Sequence, residues 1–193
     1  FSSISGQVKP EVVVVTNFFR DQLDRFGELS NTVSEVKAGI AKCPEAKLVL
    51  NADDSLCSSL GRDVPNSVTY YGFSGDAYEN TDAIINQDAV FCIYCKNRYD
   101  YDYRTYGHLG GFRCAGCGYS SPEAQVTCIG VDELSAENSI IRIGISEPNN
   151  SGDIVSGKSA SGEIMAGNVY TADINLPGLY NIYNALAAAA FGH

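Results

Sequence analysis

The sequence predicts an α/β fold: a mainly parallel sheet flanked by helices, interrupted by a small cysteine ribbon. Three observations predict it. Two short, β-branched, unbroken apolar runs, Glu11 to Thr16 and Lys47 to Asn51, read as strands buried on both faces, the habit of parallel sheets. Between them Val33, Val36 and Ile40 recur at i, i+3 and i+7, which is one face of a helix. Further on, Cys92-Ile-Tyr-Cys95 and Cys114-Ala-Gly-Cys117 form two Cys-x-x-Cys pairs, separated by the eighteen residues Lys96 to Arg113.

Residues 1–10 carry no clear signal. The run at 11–16 is the first strand, and the polar residues after it, from Asn17 onward, fall at its carboxyl end, where open α/β sheets bind ligands. A helix is expected over Leu29 to Cys43, with Thr32 and Glu35 as a capping box at its start. The second strand, near 46–51, completes a right-handed βαβ unit. It leads into Asn51-Ala-Asp-Asp54, polar groups again at a strand end. A short helix is expected over Ser55 to Leu60 and a third strand over Ser67 to Tyr71. Residues 72–91 are acidic and turn-rich. After the ribbon, Ile140 to Ile145 and Val169 to Ile174 alternate like antiparallel strands. The chain then turns at Pro177-Gly178 into an alanine-rich helix. The expected division is residues 1–89 as the first part of the core, 90–121 as an inserted ribbon, and 122–193 completing the core.

The cysteine spacing carries chemistry. Structural zinc needs four thiolates at tetrahedral corners, about 2.3 Å from the ion, and a gap of roughly 15–20 residues between the pairs fits such a site. Cys92, Cys95, Cys114 and Cys117 are the expected ligands of one structural Zn2+. Gly118 supplies the positive φ that such turns need. The alternative is two disulfides or four unrelated thiols. Cys43, Cys57 and Cys128 are left over, and an odd remainder argues against an oxidised framework. His108 lies between the pairs, but four cysteines already fill the shell, so it reads as a loop residue. A filled shell leaves no open position for substrate.

Composition narrows the function. The chain has 193 residues, 45% of them hydrophobic, enough for a real core, and a net charge of −10. Such acidity disfavours nucleic acid, which rewards clustered Lys and Arg. Six of the twelve tyrosines lie between Tyr94 and Tyr119. With Lys96, Arg98, Arg104 and Arg113 among them they could stack on bases, but Asp100 and Asp102 dilute the patch. They are expected instead to cover a ribbon with little core of its own. No apolar run approaches the roughly 18 residues of a membrane helix, and no signal peptide is evident. A cytoplasmic protein, not an integral membrane one, is expected. Because the chain begins at Phe1 and ends inside a helical pattern, it reads as a piece of a longer protein.

Gly152 to Ser159 matches the phosphate-loop pattern G-x-x-x-x-G-K-S. That motif works only between a strand and a helix. Here Glu147-Pro-Asn-Asn150 precedes it, while Gly162 and Gly167 break any helix after it. A flexible hairpin tip without phosphate is expected.

Four segments, in this order, resemble the Mur ligases and within them the MurT-type subfamily: Thr16 to Glu28, Leu50 to Asp54, the four-cysteine ribbon, and Gly178 to Ala188. The resemblance covers most of residues 8–190. It implies part of the central domain of an ATP-dependent amide ligase. The parent would activate the D-glutamate α-carboxylate of the lipid II stem peptide as an acyl phosphate, and ammonia from a glutamine amidotransferase-like partner subunit would displace the phosphate. Asn184, with Asn181 beside it, matches the adenine-contacting asparagine, and a side-chain amide can read adenine's donor–acceptor edge. Asn17, Asp21, Gln22 and Asp24 would line the cleft. Gln22 stands where most of the family has a magnesium-binding histidine, which puts direct metal binding there in doubt. The family's phosphate loop and its metal-binding glutamate precede the Thr16-Asn17 motif and are not in this sequence. Nor is the third domain that closes over ATP. No residue here is assigned to the chemical step, and the fragment alone is expected to be inactive. Two function classes stay open: part of an ATP-dependent ligase using ATP and Mg2+, or a zinc-ribbon binding module for protein or nucleic acid. The motifs at Thr16–Arg25 and Gly178–Asn184 favour the first, because a ribbon module has no reason to carry them.

Overall fold

The computed structural model describes residues 1–18, 29–78, 90–146 and 168–193. A six-stranded sheet is built from β1 (Val12–Val15), β2 (Lys47–Asn51), β3 (Val68–Phe73), β6 (Val126–Leu134), β7 (Ser139–Ile145) and β8 (Asn168–Ile174), side by side in that order. The pairings from β1 through β6 are parallel, and those of β6 with β7 and β7 with β8 are antiparallel. The other two strands, β4 (Tyr99–Arg104) and β5 (Gly110–Cys114), form a separate antiparallel ribbon inserted between β3 and β6. The helices are α1 (Ser5–Val8), α2 (Leu29–Ile40), α3 (Ser55–Ser59) and α4 (Leu179–Gly192).

The apolar run of β2 means what it was expected to mean, whereas β1, at the end of the sheet order among the described residues, buries Val13 and leaves Val14 exposed. Side chains alternate across a strand, so a run that is apolar at every position serves two cores. Leu48 and Leu50 point to one face, packing with Val33 and Ile40 of α2 and with Cys57 and Leu60. Val49 points to the other, with Tyr71, Val126, Ile141 and the buried stripe Ile182, Tyr183 and Leu186 of α4. Helix α4 runs back along β2: Tyr183 reaches Asp53 beyond the carboxyl end of β2, and Ala190 O accepts from Lys47 Nζ at its amino end. Among the described residues no helix is long and apolar enough to cross a membrane.

Two expectations need correction. Helix α2 is already formed at Leu29, so Thr32 lies inside it and does not cap it; Glu35 is engaged by Ser2 Oγ at 2.7 Å. The fourth parallel strand, β6, was not among the expected elements. Its register against β7 slips between Cys128 and Gly130 and again between Val131 and Glu133. Burial alternates from Val126 to Val131, but the residue types do not follow it: Ile129 and Val131 stand on the half-buried face and Gly130 on the buried one. The Gly152–Ser159 match lies outside the described residues.

Candidate functional site

The carboxyl ends of β1, β2 and β3 lie together, as parallel pairing requires. Residue Asn51 closes β2, and its Nδ2 donates to Thr16 O at 3.0 Å. Three residues on, Asp54 caps α3, accepting from the N–H groups of Leu56 and Cys57. Its Oδ2 also accepts from Phe18 N at 2.9 Å. Asn17, half-buried, is therefore held between two fixed neighbours. On its other side Asp54 faces His108, whose Nε2 is 3.5 Å from Oδ2; both side chains are buried. Burial alone would raise the Asp54 pKa, but the hydrogen bond and charge of His108, with the Phe18 and Leu56 amides, outweigh it and hold the carboxyl below its ordinary range. His108 is thus a buried partner of Asp54, away from the cysteines. The His108 position in a loop was expected, whereas this pairing was not.

Asp53 is the centre of a second network. Its Oδ2 accepts from Phe73 N at 2.9 Å and from the Tyr183 hydroxyl at 2.7 Å. The Tyr103 hydroxyl lies 2.7 Å from Asp53 Oδ1 and 2.6 Å from Phe73 O. Tyr103 has one proton for these two acceptors. A proton on Asp53 Oδ1 satisfies both, because the carboxyl then donates to Tyr103 and Tyr103 donates to Phe73 O. Burial is the main cause that pushes the Asp53 pKa up to about 6, against the three hydrogen bonds that would lower it. Strand β3 can approach this carboxyl because residue 72 is glycine: a Cβ there would sit 2.9 Å from Asp53 Oδ1. Tyr183 also meets Thr105 Oγ1 at 2.5 Å. Two polar groups read at a strand end in the sequence thus join the core, α4 and the ribbon. Tyr103 and Tyr183 were not expected here; they lie 50 and 130 residues from Asp53, and no local pattern links them.

In the ribbon, the Sγ atoms of Cys92, Cys95, Cys114 and Cys117 all lie within 4.8 Å of one another. Cys92–Cys117 is 3.6 Å and Cys95–Cys114 is 3.3 Å, too long for disulfides at about 2.05 Å. Thiolates at the corners of a zinc tetrahedron are about 3.8 Å apart, so this donor set fits a zinc ion. Each pair is bent round by a residue at positive φ, Lys96 at 63° and Gly118 at 75°. Burial raises the Cys92 pKa, yet backbone N–H groups of Cys95 and Tyr94 and the Tyr99 hydroxyl prevail and bring it down to about 6. Cys95 and Cys117 shift the other way: the backbone N–H groups of Asn97 and Tyr119 lower them, but burial and hydrogen bonds to neighbouring thiols prevail and raise both, Cys95 to about 12. The tyrosines fill the ribbon as expected: Tyr99 and Phe112 are buried and pack with Tyr101 and Tyr119. Arg104 stacks on Tyr101, and Arg113 pairs with Asp102.

On α4, Asn181 is buried and Asn184 exposed. Asn181 Nδ2 donates to Pro177 O at 2.8 Å, and Asn184 Nδ2 donates to Asn181 Oδ1 at 3.3 Å. The turn at Gly178, with φ 93°, starts the helix. Asp21, Gln22 and Asp24 lie outside the described residues.

The model of the Mur ligase middle domain matches residues 2–108, more than half of the chain. The chain belongs to the Mur ligase family. Its match spans β1 to β4 and stops inside the ribbon. Among curated proteins the chain is similar to the MurT subunit of lipid II isoglutaminyl synthase (glutamine-hydrolyzing) from Streptococcus pneumoniae, with 32% identity over 189 residues, 98% of this chain and 36% of that protein. The MurT subunit from Staphylococcus aureus is 36% identical over 119 residues, 62% of this chain and 26% of that protein. The chain therefore spans about a third or less of the curated relatives it matches. Among solved structures it is similar to a pseudomurein peptide ligase type C from Methanothermus fervidus, with 28% identity and a TM-score of 0.63 over 93% of this chain and 30% of that one. Within that family the chain is similar to the MurT subunits, and its sheet is mainly parallel.

Proposed function

We propose that this chain is the central part of an ATP-dependent ligase subunit that amidates the D-glutamate α-carboxylate of the lipid II stem peptide. The single observation that carries the reading is the convergence of two separate motifs on one end of the parallel sheet. Thr16 to Phe18 is held there by Asn51 and Asp54, and the first turns of α4, with Asn181 and Asn184, are held there through Tyr183 and Asp53. That end is where α/β sheets bind ligands. The names of the MurT relatives supply the reaction class.

In the proposed chemistry a carboxylate oxygen attacks the γ-phosphorus of ATP, ADP leaves, and an acyl phosphate forms. Ammonia then attacks the carbonyl carbon, the C–O bond to phosphate breaks, and the nitrogen loses a proton. The glutamine amidotransferase-like partner supplies the ammonia. Asn184, backed by Asn181, reads adenine; Asn17 lines the cleft together with Asp21, Gln22 and Asp24. Mg2+ would neutralise phosphate charge. Residues 90–121 are an insertion in one central domain otherwise formed by 1–89 and 122–193, and Zn2+ held by Cys92, Cys95, Cys114 and Cys117 is structural. The expected location is the cytoplasm. The ribbon's aromatic packing, with Tyr99 and Phe112 buried, does not support a base-stacking platform.

The test follows an oxygen atom. With the full-length protein and its partner subunit, heavy oxygen placed in the D-glutamate α-carboxylate should appear in the released phosphate. Amide formation without label in phosphate would overturn the acyl phosphate.

A further inference from the structure

The ribbon lies between two neighbouring parallel strands, and it does more than pack against them. Five of its groups make polar contacts with the core. The Tyr103 hydroxyl lies against Asp53 Oδ1 and Phe73 O. Thr105 Oγ1 meets the Tyr183 hydroxyl, and His108 faces Asp54. Gly110 N donates to Asp53 O at 3.0 Å. The Tyr119 hydroxyl lies 2.7 Å from both Ser58 Oγ and Ser55 O, on α3. Tyr103 and His108 touch two adjacent buried carboxyls directly and Thr105 meets the tyrosine bound to one of them, and each carboxyl holds a different side of the sheet's carboxyl end.

We infer that the ribbon's Tyr103, Thr105 and His108 are positioning residues for the ligase cleft. They act through Asp53 and Asp54 to set Thr16–Phe18 on one side and the first turns of α4 on the other. The inference rests on the cleft reading given above. Asp54 receives His108 and Phe18 N on the same oxygen, Oδ2, so a shift of His108 is felt at the residue next to Asn17. Tyr183 is clamped between Thr105 of the ribbon and Asp53 of the core, and it immediately precedes Asn184 in the chain. Both proposed cleft segments therefore take part of their orientation from the inserted ribbon. Buried polar networks of this kind specify one arrangement because partial satisfaction is costly. The role is separable from metal holding, since none of these three side chains belongs to the cysteine cluster.

The experiment uses the full-length protein with its partner subunit. Tyr103→Phe keeps the ring and removes the hydroxyl, Thr105→Val is the second variant on that side should the first not fold, and His108→Gln changes the group that faces Asp54. Three readouts are taken: zinc content, ATP affinity by calorimetry, and amide hydrogen exchange across residues 179–186 and 16–18. The expected result is unchanged zinc content, faster exchange at residues 179–186 in Tyr103→Phe or Thr105→Val and at residues 16–18 in His108→Gln, and ATP affinity weakened on the order of fivefold. The KM for ATP should rise by more than kcat falls. Unchanged exchange in both segments would overturn the inference, whatever happens to ATP. Faster exchange with unchanged affinity would overturn it too, because the contacts would then be structural only. Wild-type protein that binds no ATP would instead overturn the cleft reading, and the positioning role with it.

Discussion

Replacing Asp53 by asparagine should remove a pH dependence of stability that the wild-type protein carries. Asp53 is fully buried, and its pKa is pushed from the ordinary 3.8 up to about 6. A carboxyl raised in the folded state contributes stability that is fully present below 3.8 and is lost as pH rises through 6. The whole effect is about 3 kcal/mol, from roughly two pKa units at 1.36 kcal/mol each. Between about pH 4.5 and about pH 7 the accessible part is about 2 kcal/mol. Asp54 has the opposite sign: its lowered value gives stability present above the ordinary carboxylate value and lost as pH falls through the lowered one. It is therefore nearly constant in this window. Asparagine reproduces the neutral carboxyl, with Nδ2 donating toward Tyr103 and Oδ1 accepting from Phe73 N and Tyr183. Urea unfolding of wild type and Asp53→Asn at the two pH values gives the comparison, and the difference between the two proteins cancels groups they share. Wild type should lose about 2 kcal/mol more than the variant on going to pH 7. Parallel pH slopes for the two proteins would refute the neutral-carboxyl account.

Four further outcomes are expected. Metal analysis should find about one zinc per chain, and Cys114→Ser should lower that content and loosen the ribbon, because metal binding there offsets chain entropy. Asn184→Ala in the intact parent should weaken ATP binding by about 1–3 kcal/mol with little change in melting temperature, as calorimetry and a melting curve would show. Gly72→Ala should destabilise by about 1–3 kcal/mol in urea titration, since its new Cβ would press on the Asp53 carboxyl. Lys158→Ala should leave ATP affinity unchanged; a loss of about tenfold, or about 1.4 kcal/mol, would show that the Gly152–Ser159 match binds phosphate.

What was legible in the sequence was local. The Leu48-Val-Leu50 run of β2 and the stripe on α2 each encode burial within a few residues, so periodicity finds them; the valines of β1 marked a strand but not its exposed side at Val14. The cysteine spacing likewise placed four thiols together. Strand β6 was missed because its residue types do not follow its burial: apolar Ile129 and Val131 lie on the half-buried face, and Gly130 takes a buried position. The Asp53 network was missed for a different reason. Its members come from β2, β3, the ribbon and α4, and only the sheet order brings them together. Even so, Asn51 to Asp54 was recognisable as polar residues at a parallel strand's carboxyl end. The cap that Asp54 makes on α3 was also there to be read, in an acidic residue immediately before a helix.

The central claim is that this chain belongs to a subunit that converts a lipid II carboxylate into an amide at the expense of ATP. The most direct test incubates the full-length protein and its partner subunit with lipid II, ATP, Mg2+ and glutamine, then measures lipid II by mass spectrometry alongside ADP. The account predicts the mass change of a carboxyl becoming a carboxamide at the D-glutamate residue, with one ADP formed per amide and none when ATP is omitted. Lipid II that keeps its mass while the complex binds and hydrolyses ATP would contradict it.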